Sequence, residues 1–137
     1  MTGAVDAALD DLRRLGLLAL LDVLGGRPGE RAEDVLLDLN LVDDHALALA
    51  LALRSGRPYR GLRELAPDHR LFLYVPLHLA QRERVCPLAL EDDRLTIASA
   101  YLDPELGPVS ERFPSLELEL VVSPRSEVLE ALQRIGV

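Results

Sequence analysis

The stretch VPLHLAQRERVCPLALEDDRLTIA, from Val75 to Ala98, carries the clearest structural pattern in the chain. Pro76 suits the first turn of a helix, because the N–H group that proline lacks would have no helical partner there. Apolar residues then form two runs on either side of an acidic turn at 91–93, which is typical of two strands joined by a tight turn. The stretch therefore predicts a short helix, a strand, a turn and a second strand.

The segment after this hairpin completes a small sheet. From Leu116 to Leu120, leucine alternates with glutamate, which is the pattern of a half-buried strand. A short helix is predicted before it, at 104–112, and a closing helix follows Ser123 and Pro124. Three strands covered by helices form an α+β unit, so we expect a compact three-stranded ββαβα-type lobe at 68–137.

The residues before the hairpin predict an N-terminal helical lobe. Helical periodicity runs through 5–24, 30–39 and 44–54. Asn40 suits a left-handed residue at a helix end, and Asp43 suits an N-cap. The third helix is apolar around most of its circumference, which predicts the centre of the lobe, with a partner surface as the alternative. Glycines and prolines then predict a linker, giving a helical lobe at 1–56, a linker at 57–67 and the α/β lobe at 68–137.

The composition excludes several classes of function. The formal net charge is −8, which disfavours nucleic-acid binding because phosphates require cations. The 137 residues include no lysine, so the chain lacks the residue that a P-loop ATPase places on phosphates, and Schiff-base chemistry is excluded. No apolar run is long enough to span a bilayer, so we expect a cytoplasmic protein without direct membrane insertion.

The reactive side chains do not form a catalytic or metal-binding pattern. Cys86 is the only cysteine and lies in a predicted strand, which favours a buried structural thiol. The histidines His45, His69 and His78 have no cysteine or acid at the spacing of a metal site. The sequence therefore predicts no catalytic residue, no metal and no cofactor.

The order of motifs resembles one family. The hairpin stretch reads as P-x-x-L-A-x-R-x-R-V-x-P-L followed by L-x-x-x-x-L-T-[IV]-A. Ser55–Tyr59 matches a G-x-P-[YF] step, and Tyr101–Pro104 stands where an A-D-P step is usual. This series resembles the N-terminal cytoplasmic domain of the ATPases of type II secretion and type IV pilus assembly, from about Leu47 to the C-terminus.

The resemblance implies a non-catalytic interaction and regulatory domain. Such domains dock the motor onto the cytoplasmic part of an inner-membrane platform protein, so a partner would bring this chain to the membrane. The motor domain is expected to be missing from this chain. A free-standing adaptor that uses the same fold is the alternative.

Four arginines cluster near the predicted linker of this acidic chain. Arg57, Arg60 and Arg63 lie within the linker, and Arg54 lies just before it. Guanidinium groups hold carboxylates or phosphates in a bidentate manner. The three linker arginines therefore predict a docking patch for an acidic partner or a phosphate-bearing ligand, with a solvated linker edge as the alternative.

Some members of the family bind cyclic di-GMP through two copies of a motif resembling R-L-G-x-x-L-x-x-x-G-L-[VI]-x-x-x-x-L-x-x-x-L-x-x-Q, and Arg54 stands at the final Gln of the second copy. In this chain the motif departs from the pattern, because Glu33 and Asn40 replace both glycines of the second copy. A carboxylate at 33 would lie close to an anionic ligand. The candidate nucleotide-binding residues implied by the resemblance are Arg14, Leu15, Gly16, Arg31, Asn40 and Arg54.

Overall fold

The computed structural model describes residues 31–135, which form helices around one mixed sheet. The α+β class is therefore confirmed. In chain order the elements are α1 (Ala32–Asp38), α2 (Asp44–Ser55), a 3₁₀ helix (His69–Leu73), α3 (Leu77–Glu83), β1 (Val85–Glu91), β2 (Arg94–Ser99), α4 (Gly107–Arg112), β3 (Glu117–Val122) and α5 (Arg125–Ile135). The predicted helix at 5–24 lies outside the described residues.

Helix α2 has both of the ends that its sequence predicts. The Asp43 carboxylate accepts a hydrogen bond from the Ala46 N–H at 2.7 Å, which satisfies one of the free donors of the first turn. Gly56 ends the helix in the left-handed region at φ 70°, where a side chain would be strained. Asn40 has φ 56° after α1, so the predictions for Asn40 and Asp43 are both confirmed.

The hairpin of β1 and β2 is antiparallel and closes through a two-residue turn. Asp92 and Asp93 have φ values of 48° and 66°, as a type I′ turn requires at both central positions. Aspartate tolerates this conformation better than most residues. The register pairs Leu90 with Leu95, and it shifts between Pro87 and Ala89, which places a bulge at the outer strand. The predicted acidic turn is confirmed.

Strand β3 runs parallel to β2 and completes the order β1-β2-β3. Ile97 pairs with Leu120, and Ser99 pairs with Val122. Glu117 and Glu119 are exposed while the intervening leucines are half-buried, so the alternation predicted for β3 is confirmed. Parallel strands need a crossover, and α4 lies within it.

Two apolar clusters hold the described residues together. The larger one joins the sheet to α3, α4 and α5. The smaller one contains Ala32, Leu36, Leu47, Ala48 and Leu51 from α1 and α2, together with Val122 of β3. Since Val122 is a sheet residue, the helical part packs directly on the end of β3. The domain boundaries at 56 and 67 stay a prediction.

We expect the smaller cluster to contribute measurably to stability. Leu36 is fully buried within it, so Leu36→Ala should lower the free energy of unfolding by about 2–4 kcal/mol. Leu39 is 63% exposed, and Leu39→Ala should change the same quantity by less than about 0.5 kcal/mol. Urea unfolding of both variants measures the difference, and equal losses would contradict this packing.

Candidate functional site

The predicted linker is paired to the sheet. Tyr59 forms a parallel bridge with Val122. The Val122 N–H donates to the Pro58 carbonyl, and the Arg60 N–H donates to the Val122 carbonyl, each at 2.8 Å. The Ser123 hydroxyl donates to the Arg60 carbonyl at 2.6 Å. The linker therefore extends the sheet by one short segment beyond β3.

Helix α5 fixes the next part of the linker. Leu62 is buried in the larger cluster, and its N–H donates to the carboxylate of Glu127 at 2.7 Å. Arg134 donates to the carbonyls of Leu62, Leu65 and Arg63 at 3.2, 2.7 and 2.7 Å. These contacts give the linker a defined path across α5.

The three predicted docking arginines differ in their surroundings. Arg57 is half-buried, and its guanidinium donates to the Leu102 carbonyl at 2.5 Å. Arg60 is exposed. The Arg63 side chain is 85% exposed, and its Nε lies 3.8 Å from a carboxylate oxygen of Glu127. Arg60 and Arg63 therefore present their charge to solvent, whereas Arg57 holds the linker against the loop after β2.

An open pocket of about 540 Å³ lies beside Arg63. Its lining residues are His45, Tyr59, Gly61, Arg63, Glu64 and Glu127. The Tyr59 hydroxyl lies 3.0 Å from Nδ1 of His45, and the two rings meet edge to face. Burial and the negative charge of Glu127 raise the pKa of Tyr59, so the phenol stays neutral. The pocket combines a guanidinium, two carboxylates and an aromatic wall.

Of the six predicted nucleotide-binding residues, Arg31, Asn40 and Arg54 lie within residues 31–135. Arg14, Leu15 and Gly16 lie outside the described residues. Arg31 and Asn40 stand at opposite ends of α1, whose seven residues span about 10 Å. Arg54 is exposed in the last turn of α2. A nucleotide role for these residues stays a prediction.

Arg31 has a set of internal contacts. Its guanidinium donates to the Glu83 carboxylate at 2.5 Å and to the Asp103 carbonyl at 2.7 Å, and it lies over the Tyr101 ring at 4.3 Å from the centroid. Glu83 is mostly buried and also accepts from the Glu105 N–H at 2.7 Å. Arg31 therefore ties α1 to α3 and to the loop after β2.

The acidic residues of α1 face the α/β part. Glu33, at a position where the nucleotide motif has glycine, is mostly buried and accepts from the Leu102 N–H at 2.7 Å. Asp34 accepts from the Tyr101 hydroxyl at 2.7 Å and from Arg125 at 3.0 Å. Burial and the bond to Asp34 raise the pKa of Tyr101. The partners of Glu33 and Asp34 are distant from α1 in the sequence, so no local pattern predicts the contacts with Tyr101 and Arg125.

The prediction of a buried thiol in a strand is confirmed. Cys86 is fully buried, and burial raises its pKa to about 12, so the thiolate needed for nucleophilic attack does not form at neutral pH. Among residues 31–135, no group of three or more His, Cys, Asp or Glu side chains is arranged to hold a metal ion. Within that same range, no helix is long and apolar enough to cross a bilayer.

The family follows from the part of the chain that contains the linker, the sheet and α5. The model of the MshEN domain matches residues 55–136. The chain belongs to the MshEN domain family. Its resemblance to the N-terminal domains of type II secretion and type IV pilus ATPases is thereby confirmed.

Solved structures agree with this assignment. The N-terminal domain of XpsE superposes with a TM-score of 0.64 at 26% identity, covering 97% of this chain and 94% of that one. A second crystal form of the same domain gives 0.64 at 22% identity, with 95% and 91% covered. A structure of MshE with cyclic di-GMP gives 0.61 at 21% identity, with 87% and 86% covered. No curated protein matches the chain.

Asp44 couples α2 to α5 through its charge, which makes this contact sensitive to pH. Burial acts to raise its pKa, but hydrogen bonds from Ser126 and from nearby backbone N–H groups outweigh it, so the pKa lies below its ordinary value of 3.8. The Ser126 N–H donates to this carboxylate at 2.8 Å. A lowered pKa stabilises the fold above the unfolded-state pKa, and this contribution is lost as the pH falls through the folded-state pKa.

We expect Asp44→Asn to lower the free energy of unfolding at about pH 7 by less than about 1 kcal/mol, because the contact is partly solvated. The difference from the unmodified chain should shrink as the pH falls below about 4. Urea unfolding across this pH range measures it. Asp43→Asn is the matched control, because asparagine also serves as an N-cap. A difference that is independent of pH would contradict the assignment.

Proposed function

We propose that this chain is a non-catalytic domain that docks a secretion or pilus ATPase onto the cytoplasmic part of an inner-membrane platform protein. The observation that carries the proposal is the match to the N-terminal domain of XpsE over nearly the whole of both chains, together with membership of the MshEN family. The proposal places the chain in the cytoplasm, at the inner membrane through its partner. It gives the chain no ATP chemistry, because a P-loop needs a lysine and the sequence has none.

The linker is the surface that best supports such docking. Arg60 and Arg63 are exposed, and the path of the linker is fixed by its pairing with Val122 and by Arg134. A fixed backbone lowers the entropy that is lost when the arginines bind a partner. In this proposal the α/β part at 68–137 is a rigid base and the linker at 57–67 presents the charges.

We expect the double variant Arg60→Ala and Arg63→Ala to weaken binding to the cytoplasmic domain of the platform protein from the same organism. Exposed ion pairs contribute about 0.2–1 kcal/mol each, so the dissociation constant should rise about 2- to 30-fold. Arg57 is left in place because it contacts Leu102. Calorimetry or surface plasmon resonance measures the change.

Arg94→Ala provides the matched control, because Arg94 is an exposed arginine at the hairpin turn. It should leave the dissociation constant unchanged. The circular dichroism spectra of all variants should match that of the unmodified chain. Equal affinity of the double variant and the unmodified chain would refute the role of the two linker arginines, and no binding by the unmodified chain would refute the docking function.

A cyclic di-GMP sensor is the second candidate, and it is favoured by one observation. The fold is similar to that of MshE, whose structure contains cyclic di-GMP, and Arg31 stands where the second copy of the motif begins with arginine. Two observations argue against this candidate. Glu33 places a carboxylate where the motif has glycine, and the Arg31 guanidinium already donates to the Glu83 carboxylate. The internal contacts of Arg31 therefore count against this second candidate.

We expect a calorimetric titration with cyclic di-GMP to show no binding up to about 1 mM ligand, because Arg31 would have to leave a mostly buried carboxylate. The titration is repeated at a second temperature, since a binding enthalpy can vanish at one, and GTP is the control ligand. A dissociation constant of about 1 µM, or about −8 kcal/mol, that is lost in Arg31→Ala would establish the sensor instead.

A further inference from the structure

We propose that Pro58–Gly61 is a strand-pairing edge that takes an extended acidic segment of a partner protein. The proposal rests on the docking function above and adds the mode of recognition and the chemistry of the segment. It depends on the backbone of Tyr59, on the charged side chains beside it, and on a comparison of the two edges of the sheet.

The backbone of Tyr59 supplies the pairing groups. The Pro58 carbonyl and the Arg60 N–H both point to Val122. In an extended strand, the backbone N–H and carbonyl of one residue point to one edge, and those of the next residue point to the other edge. The N–H and the carbonyl of Tyr59 therefore point away from β3. Neither group takes part in a hydrogen bond with any residue in 31–135. Such a pair of groups is what an added strand binds in β-augmentation.

The charges beside this edge select an acidic segment. The exposed guanidiniums of Arg60 and Arg63 flank Tyr59 and Gly61, in a chain whose net charge is −8. Glu127, whose carboxylate lies 3.8 Å from the Arg63 Nε, is mostly buried and already accepts from the Leu62 N–H. Every second side chain of an added strand points to the same face of the sheet. Acidic residues at every second position of the segment can therefore reach Arg60 and Arg63.

The same charges argue against a second copy of this chain as the occupant. Pairing two copies of Pro58–Gly61 would bring the exposed linker arginines of both copies into one interface, where like charges repel. The other edge of the sheet is also a poor template. Strand β1 carries Pro87, next to a shift in register, and both features disfavour the addition of a strand.

The test is amide hydrogen exchange, read residue by residue by NMR, on the full 137-residue chain. Two binding partners are used. One is the cytoplasmic domain of the platform protein, and the other is a synthetic peptide of about eight residues, a usual strand length, that alternates glutamate and valine. The control peptide has lysine in place of glutamate. The amide of Arg60, which is bonded to Val122 in the free chain, is the internal reference.

We expect the Tyr59 amide to exchange fast in the free chain and at least about tenfold slower in saturated complexes with the platform domain and with the acidic peptide. The lysine peptide should have no effect. The double variant Arg60→Glu and Arg63→Glu should lose the protection by the acidic peptide, whereas Arg94→Glu should keep it.

The outcomes separate the two proposals. If the platform domain binds and the exchange of the Tyr59 amide is unchanged, strand pairing is wrong and the docking function stands. If the platform domain does not bind but the acidic peptide still protects Tyr59, the edge is supported and the docking function is wrong. If neither partner slows the exchange of this amide, strand pairing is overturned.

Discussion

The parallel pairing at Val122 is the contact on which the arrangement of the described residues depends. Its N–H and its carbonyl both bond to the linker on one side of β3, and β3 pairs with β2 on the other side, where the Ser123 N–H donates to the Ser99 carbonyl at 3.0 Å. Its side chain lies in the smaller cluster with α1 and α2. One residue thus joins the sheet, the linker and the helical part. Because backbone bonds fix the linker at 58–60, the exposed side chain of Arg60 is free to vary without changing this path.

Buried carboxylates form a second set of contacts between segments that are distant in the sequence. Glu33, Glu83 and Glu127 are each mostly buried, and they accept from the backbone N–H groups of Leu102, Glu105 and Leu62. A backbone N–H in a loop has no neighbouring strand to bond to, and burying it without a hydrogen bond lowers the stability of the fold. Part of the acidic character of the chain therefore holds loops in place and does not serve solubility or a ligand.

The local sequence pattern predicts the helices and strands of this fold but not the long-range contacts that hold them together. The hairpin, the Asp43 cap and the alternation in β3 follow from neighbouring residues, so the sequence is sufficient for them. The bond of Arg31 to Glu83 joins residues 52 positions apart, and that of Ser123 to Arg60 spans 63 positions. No periodicity encodes such distances. Arg31 and Arg57 therefore look like surface arginines in the sequence, although both hold segments together in the fold.

The burial of Cys86 has a practical consequence. It is the only thiol of the chain, and it lies in β1 within the larger cluster. A thiol-reactive dye can modify it only when that cluster opens, so the rate of labelling reports the opening of the core. The native chain thus carries its own probe of conformational opening, inside the cluster that joins the sheet to α3, α4 and α5.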